Sequence, residues 1–410
     1  MELYNSFAVI IVLAAVFGYI NVRFIKLPSA IGVMIISLVG SLMMIGLEKL
    51  YPNLFQETLR LIKSLDFYTI LMKVMLSFLL FAGSIHINVK EMRKERRSII
   101  TFSTIGVLLS TIMVATLSYL ICHLFGLPIG FIYCLLFGAL ISPTDPIAVM
   151  EILKSSNIAK SLEMKISGEA LFNDGIAVVI FLTILEAMRL GVDKLTFVNV
   201  LLLFLREAGG GLLFGFLLGY IAYVALRTID DYKVGVMITL AVVMGGYMLA
   251  DYMHISGPIT MVIAGIFIGN KGRRFGMSEV TRDYVDKFWE LVDEALNVIL
   301  FLLIGMEMLV INFSISYLWI GMCAIVIVLV SRYVSVSIPI IILKYKKNME
   351  RNEIGILTWS GVRGGISVAL ALSLPYSSES ELIVSITYII VLFSIIVQGL
   401  TVEKVVKRLM

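Results

Sequence analysis

The sequence is poor in what a soluble enzyme relies on. Only 15% of its 410 residues are charged and 60% are hydrophobic, whereas ordinary soluble domains carry about 25% and about 45–50%. That leaves too little polar surface to cover the two or three soluble domains such a length could form. The three cysteines (Cys122, Cys134, Cys323) lie in apolar runs without CxxC spacing, so neither a disulfide framework nor a zinc site is implied. The three histidines (His86, His123, His254) are scattered, and HExxH and GxSxG do not occur. The usual marks of intramembrane metalloproteases and serine hydrolases are therefore missing, and no cofactor is expected. With 33 Lys+Arg against 29 Asp+Glu, the net charge of +4 is too mild for a nucleic-acid binder. A basic leader with a small-residue cleavage site is also missing, so the first apolar run is expected to be retained.

What the sequence does have is long apolar runs. A bilayer core about 30 Å thick needs roughly 17–25 apolar residues per helix. Such runs lie near 6–22, 28–47, 67–85, 99–125, 128–152, 166–189, 197–226, 233–251, 256–270, 289–311, 314–343, 354–375 and 381–403. They predict an all-α polytopic membrane protein with about 13 transmembrane helices. Stretches 48–66 and 278–288 are polar or charged and read as interfacial or loop segments.

The cations alternate from loop to loop. Assigning the loops in turn puts roughly 24 of the 33 on one side, including Arg93, Lys94, Arg96, Arg97, Lys154, Lys160, Lys165, Arg274, Lys344, Lys346 and Lys347. About five (Lys49, Arg60, Lys63, Arg189, Lys194) fall on the other, which predicts an external N-terminus and a cytoplasmic C-terminus. Loops are short, so one transmembrane domain over 1–410 without a soluble domain is expected, multi-pass in the cell membrane.

Ionisable residues at membrane depth cost several kcal/mol each, so every one is a functional candidate. In the fifth span, Ser142-Pro143-Thr144-Asp145-Pro146 carries two prolines that remove backbone donors and forbid a continuous helix. Thr144-Asp145 before Pro146 reads as a cap opening a second half-helix, which exposes helix ends near mid-membrane; the plainer reading is a kink with a capping Asp. In the twelfth span, Gly361-Val362-Arg363-Gly364-Gly365 loosens a second helix, with Arg363 suited to exposed carbonyls and glycine packing as the simpler alternative. Two interrupted spans, one in each half, point to an inverted-repeat transporter.

The sixth span carries Gly168-Glu169-Ala170-Leu171-Phe172-Asn173-Asp174-Gly175. Glu169 and Asn173 are four apart on one face, with Asp174 one residue round. A carboxylate stripped of water can be neutralised by a proton or by a metal ion, which is the chemistry an exchanger needs. Arg332 is a permanent charge in the middle of the eleventh span and needs a buried acid. Glu169 is the chosen partner, leaving Asp174 to exchange; snorkelling of Arg332 to an interface is the alternative. Lys73 and Glu186 read as structural. Glu290, Asp293, Glu294 and Glu307 read as solvated at an interface rather than as a cation funnel.

These residues, with Phe78-Leu79-Leu80-Phe81-Ala82-Gly83 and Phe301-Leu302-Leu303-Ile304-Gly305, resemble a monovalent cation/proton antiporter of the NhaP type, related to animal sodium/hydrogen exchangers. The resemblance runs through most of the chain. It implies an NhaA-like antiporter fold with inverted repeats and two crossing broken helices. It also implies interleaved dimerisation and core bundles, a homodimer in the lipid bilayer, and elevator-type movement of the core. Carried across, Asp174 is the ion- and proton-binding carboxylate, and the Thr144 carbonyl and Glu169 are expected around the transported monovalent cation. Asn173, Asp145, Arg332 and Arg363 order the site, with Asn173 marking the electroneutral branch. Ala170 stands where many relatives have Ser, which leaves the coordination set and the Na⁺, Li⁺ or K⁺ preference open. The expected function is exchange of one Na⁺ (or Li⁺) for one H⁺. Potassium/proton exchange and, further off, a cation channel are the alternatives. An enzyme is disfavoured by the missing nucleophile, base and metal motifs.

Overall fold

Among the described residues, each apolar run of the sequence contributes helix in the computed structural model. It describes residues 2–64, 67–127, 129–145, 149–150, 160–190, 197–273, 276–311, 315–342 and 351–409. The helices are α1 (Glu2–Ile20), α2 (Ser29–Leu47), α3 (Pro52–Ser64), α4 (Phe67–Ile85) and α5 (Val89–Leu124). They continue with α6 (Phe131–Ile141), α7 (Lys160–Leu190), α8 (Phe197–Thr228), α9 (Tyr232–Tyr252) and α10 (Gly257–Phe267). The last five are α11 (Glu279–Glu307), α12 (Ile315–Ile342), α13 (Arg351–Trp359), α14 (Gly365–Leu372) and α15 (Ser378–Leu409).

Among the described residues nine stretches are long and apolar enough to cross a bilayer. The remaining spans are short, interrupted or charged along part of their length. With the polar α3 set aside and α13 and α14 taken as two parts of one span, the helices match the 13 expected runs one for one. Pro146, Lys154, Lys194, Arg274, Lys344, Lys346 and Lys347, used in the sequence reading, lie outside the described residues.

One boundary needs correction. Residues 279–288 are not a loop but the first turns of α11, capped by the Ser278 hydroxyl, which accepts from the Thr281 N–H. The charges there sit on one face, where Lys287 pairs with Asp283 at 2.7 Å, while Val285 and Trp289 turn inward and are buried. Trp289 donates to the Thr239 hydroxyl at 3.0 Å and packs tilted against Phe81, with ring centroids 4.6 Å apart.

Small residues let helices approach closely where lipid supplies no hydrophobic drive. A Cβ at Gly215 of α8 would lie 2.6 Å from the Thr260 carbonyl of α10, and one at Gly211 would lie 2.8 Å from that of Ser256. Side-chain caps start the neighbouring helices: Asp231 accepts from Lys233 and Val234 N–H groups, and Ser256 accepts from that of Ile259.

Candidate functional site

The helix α6 ends because Pro143 has no N–H to return to it. The Ser142 hydroxyl turns back to the Gly138 carbonyl at 2.6 Å and is reached by the Thr111 hydroxyl at 3.3 Å. Residues 143–145 then run without helical bonding. The second break follows Trp359, and the chain from Gly361 to Gly364 is again non-helical before α14 begins.

The two breaks meet. The Asp145 N–H donates to the Val362 carbonyl at 2.7 Å, so the two interruptions satisfy each other's backbone. Arg363 reaches across as well: its guanidinium Nη1 donates to the carbonyls of Ser142 at 2.5 Å and Pro143 at 2.8 Å. A cation thus caps the negative end of α6, which lies more than 200 positions before Arg363 in the chain. The Arg363 N–H is held in turn by the Ser394 hydroxyl of α15 at 3.1 Å, and the Gln398 amide bonds the Trp359 carbonyl at 3.2 Å.

Glycine is demanded at Gly364 by space rather than by backbone angle. A Cβ added there would collide with the Asp145 carboxyl group and stand 2.6 Å from its Cβ. The Asp145 carboxyl therefore lies directly against the start of α14.

From α7, Glu169, Asn173 and Asp174 point into this crossing, and all three are buried. The Asn173 amide Nδ2 donates to the Thr144 hydroxyl at 2.8 Å, while its buried Oδ1 finds no partner among the described residues. Arg332 of α12 is buried and does not snorkel. Its two terminal nitrogens engage both carboxylate oxygens of Glu169, one at 3.0 Å, and the second nitrogen also reaches the Leu357 carbonyl at 3.3 Å. The expected Glu169–Arg332 pair is present in the fork-to-fork geometry that favours Arg over Lys. No hydrogen bond or ion pair engages the Asp174 carboxylate among the described residues, and the Asp145 charge repels it.

All seven residues singled out from the sequence converge here: Thr144, Asp145, Glu169, Asn173, Asp174, Arg332 and Arg363. Each is less than a tenth exposed. Ionised, the three acids and two arginines leave one negative charge uncompensated. At this depth a site of that kind calls for one monovalent cation or one proton.

The sequence reading missed Lys165, which it counted as a loop cation. It is 4% exposed, with Nζ 3.1 Å from a Glu353 oxygen and 3.8 Å from one of Glu95. Its spacing of four from Glu169 on α7 was the available signal. Glu307, expected to be solvated at an interface, is 5% exposed; α11 turns it inward toward Tyr388, which donates to the Ile304 carbonyl at 2.8 Å. Lys73, expected to be structural, is largely exposed, with Nζ 3.9 Å from an oxygen of the likewise exposed Asp251.

A family model described as the transmembrane sodium/hydrogen exchanger matches residues 11–408. The Na(+)/H(+) antiporter NhaP of Pseudomonas aeruginosa is 49% identical over 411 residues, covering 98% of this chain and 96% of that protein. The Na(+)/H(+) antiporter NhaH of Halobacillus aidingensis is 32% identical over 395 residues, with coverage of 94% and 93%. The solved structure of the sodium proton antiporter MjNhaP1 from Methanocaldococcus jannaschii at pH 8 superposes with a TM-score of 0.78, covering 100% of this chain and 99% of that one. At 19% identity, that likeness establishes a shared fold.

Proposed function

We propose, on the premise that this chain belongs to the sodium/hydrogen exchanger family, that it exchanges one Na⁺ for one H⁺ across the cell membrane by alternating access. The observation that carries this reading is the buried charge sum: three acids against two arginines within one crossing of broken helices. One Na⁺ or one H⁺ brings that sum to zero, and both together would exceed it. Passengers of equal charge that exclude one another give an electroneutral cycle driven by either gradient.

In this reading Asp174 is the exchanging carboxylate, with the Thr144 carbonyl and Glu169 near the ion. Asn173 and Asp145 hold the break in register with α7, Arg332 neutralises Glu169, and Arg363 caps α6. The likeness to named Na(+)/H(+) antiporters supports Na⁺ as the cation. Li⁺, a smaller ion of the same charge, is carried as well. Alternation is an elevator-type movement of the crossing and its helices against a dimerisation bundle, in a homodimer with the N-terminus outside and the C-terminus in the cytoplasm.

Proton flux in proteoliposomes, with Na⁺, Li⁺, K⁺ or choline added in turn and the membrane potential clamped or free, tests the reading. Proton movement driven by Na⁺ and Li⁺ and unaffected by voltage is expected. A response to K⁺ alone changes the substrate, and conductance without proton coupling makes the protein a channel. Asp174→Asn is expected to fold and carry nothing; full activity in that variant rules out Asp174 as the exchanging carboxylate.

A further inference from the structure

The first turns of α5 are the most concentrated positive surface of the described chain. Arg93, Lys94, Arg96 and Arg97 are all exposed and line one open concavity. Glu95, the one acid within 93–97, is engaged elsewhere, accepting from the Ser161 hydroxyl at 2.6 Å and facing Lys165, while Glu91 precedes the four cations. A charge cluster alone would be no more than the asymmetry that orients the chain.

The same helix supplies a second observation. Below the cations, Ile100, Ile105, Leu108 and Ile112 are 59%, 49%, 45% and 54% exposed. A wide turn over Phe102–Gly106 shifts the helical register between Ile100 and Ile105. The exposed side chains follow one another along a single outward-facing apolar stripe that begins at the arginines. A free phosphate would have use for the cations but none for the stripe. A phospholipid has use for both.

We propose that this face of α5 is a binding site for an anionic phospholipid. Its headgroup phosphate is held by Arg93, Lys94, Arg96 and Arg97, and its acyl chains lie along the apolar stripe. Arginine side chains suit the phosphate oxygens by their planar fork of donors. The opposite face of α5 packs on the site helix: a Cβ at Gly168, next to Glu169, would stand 2.6 Å from Ile99 Cδ1. A lipid seated on α5 therefore presses on the helix that carries Glu169 and Asp174, so its binding also steadies the exchange site.

The test uses the full-length protein in a mild detergent, with bound lipid counted by native mass spectrometry and stability followed by thermal unfolding. Phosphatidylglycerol, phosphatidylcholine and inorganic phosphate are the probes. Phosphatidylglycerol is expected to remain bound and raise the melting temperature, phosphatidylcholine to do neither, and inorganic phosphate, added at constant ionic strength, to leave both unchanged. R93Q/K94Q/R96Q/R97Q is expected to weaken phosphatidylglycerol retention roughly fivefold per neutralised cation. K404Q/K407Q/R408Q, which removes an equally exposed cation cluster on α15, is expected to leave it unchanged. Wild-type protein supplies a reading that needs no variant to fold: raised salt strips phosphatidylglycerol from it. Retention untouched by salt, equal retention by the α5 variant, equal loss in the α15 variant, or displacement by inorganic phosphate would each overturn the site.

Discussion

Glu169→Gln removes one negative charge and keeps the shape. Glu169 and Arg332 are 1% and 6% exposed, so solvent screens neither, and the substitution strands a buried guanidinium whose Nε already lacks a partner among the described residues. Breaking a buried pair by removing one partner costs about 3–5 kcal/mol. For a chain of this length a kcal/mol corresponds to roughly 1–2 °C, so the apparent melting temperature is expected to fall by about 3–10 °C. The charge sum also moves, from minus one to zero, and the site no longer calls for a cation; Na⁺ binding, followed with a radioactive tracer, is expected to be lost. Glu169→Gln combined with Arg332→Met removes one charge of each sign and restores minus one. That double variant is expected to recover stability, since apolar replacement of a whole buried pair is often neutral, and to regain part of the Na⁺ binding. A melting temperature within 1 °C of wild type for Glu169→Gln, or losses that simply add in the double variant, would refute both the pairing and the charge argument.

Other expectations follow from the same geometry. Asn173→Asp adds a fourth acid to the crossing, so flux is expected to become voltage-dependent in clamped proteoliposomes; flux that stays indifferent to voltage counts against the link between charge sum and stoichiometry. Gly364→Ala forces a Cβ into the Asp145 carboxyl, and overpacking of this kind costs about 1–3 kcal/mol. It is expected to cut exchange at least tenfold, about 1.4 kcal/mol in a barrier, and unchanged flux would mean that Asp145 needs no fixed position. Because H⁺ and Na⁺ compete for one carboxylate, acidification is expected to raise the apparent KM for Na⁺, approaching about tenfold per pH unit in the acid limb, with the maximal rate held. A fall in maximal rate at constant KM would speak for separate sites.

Much of this architecture was legible from composition and proline placement. The span reading works because a bilayer leaves helices as the only solution for long apolar runs, so among the described residues each of the 13 runs carries helix and nine stretches are long and apolar enough to cross. Pro143 and the glycines around Arg363 gave both breaks for local reasons that no tertiary contact needs to supply. Arg332 led to Glu169 because a buried permanent charge must have a counter-charge and few acids were available. What the sequence did not disclose is which surfaces meet. Arg363 was matched to carbonyls, but nothing local says that they belong to Ser142 and Pro143, more than 200 positions earlier. Lys165 looks like any loop cation until α5 and α13 close over it. The start of α11 was missed because its charges break the apolar count while obeying helical spacing.

The order in which the site's charges lie along the chain has a consequence for synthesis. All three acids fall within residues 145–174 and both arginines within 332–363, so the Glu169–Arg332 pair closes over 163 positions. As the chain emerges and its helices enter the bilayer one after another, the acids arrive long before their counter-charges. Until α12 is in place, that region of the nascent protein must hold its protons or remain near water. A chain that stalls or is cut between these two segments carries acids at membrane depth without their arginines. Such a fragment is an unstable guest in the bilayer.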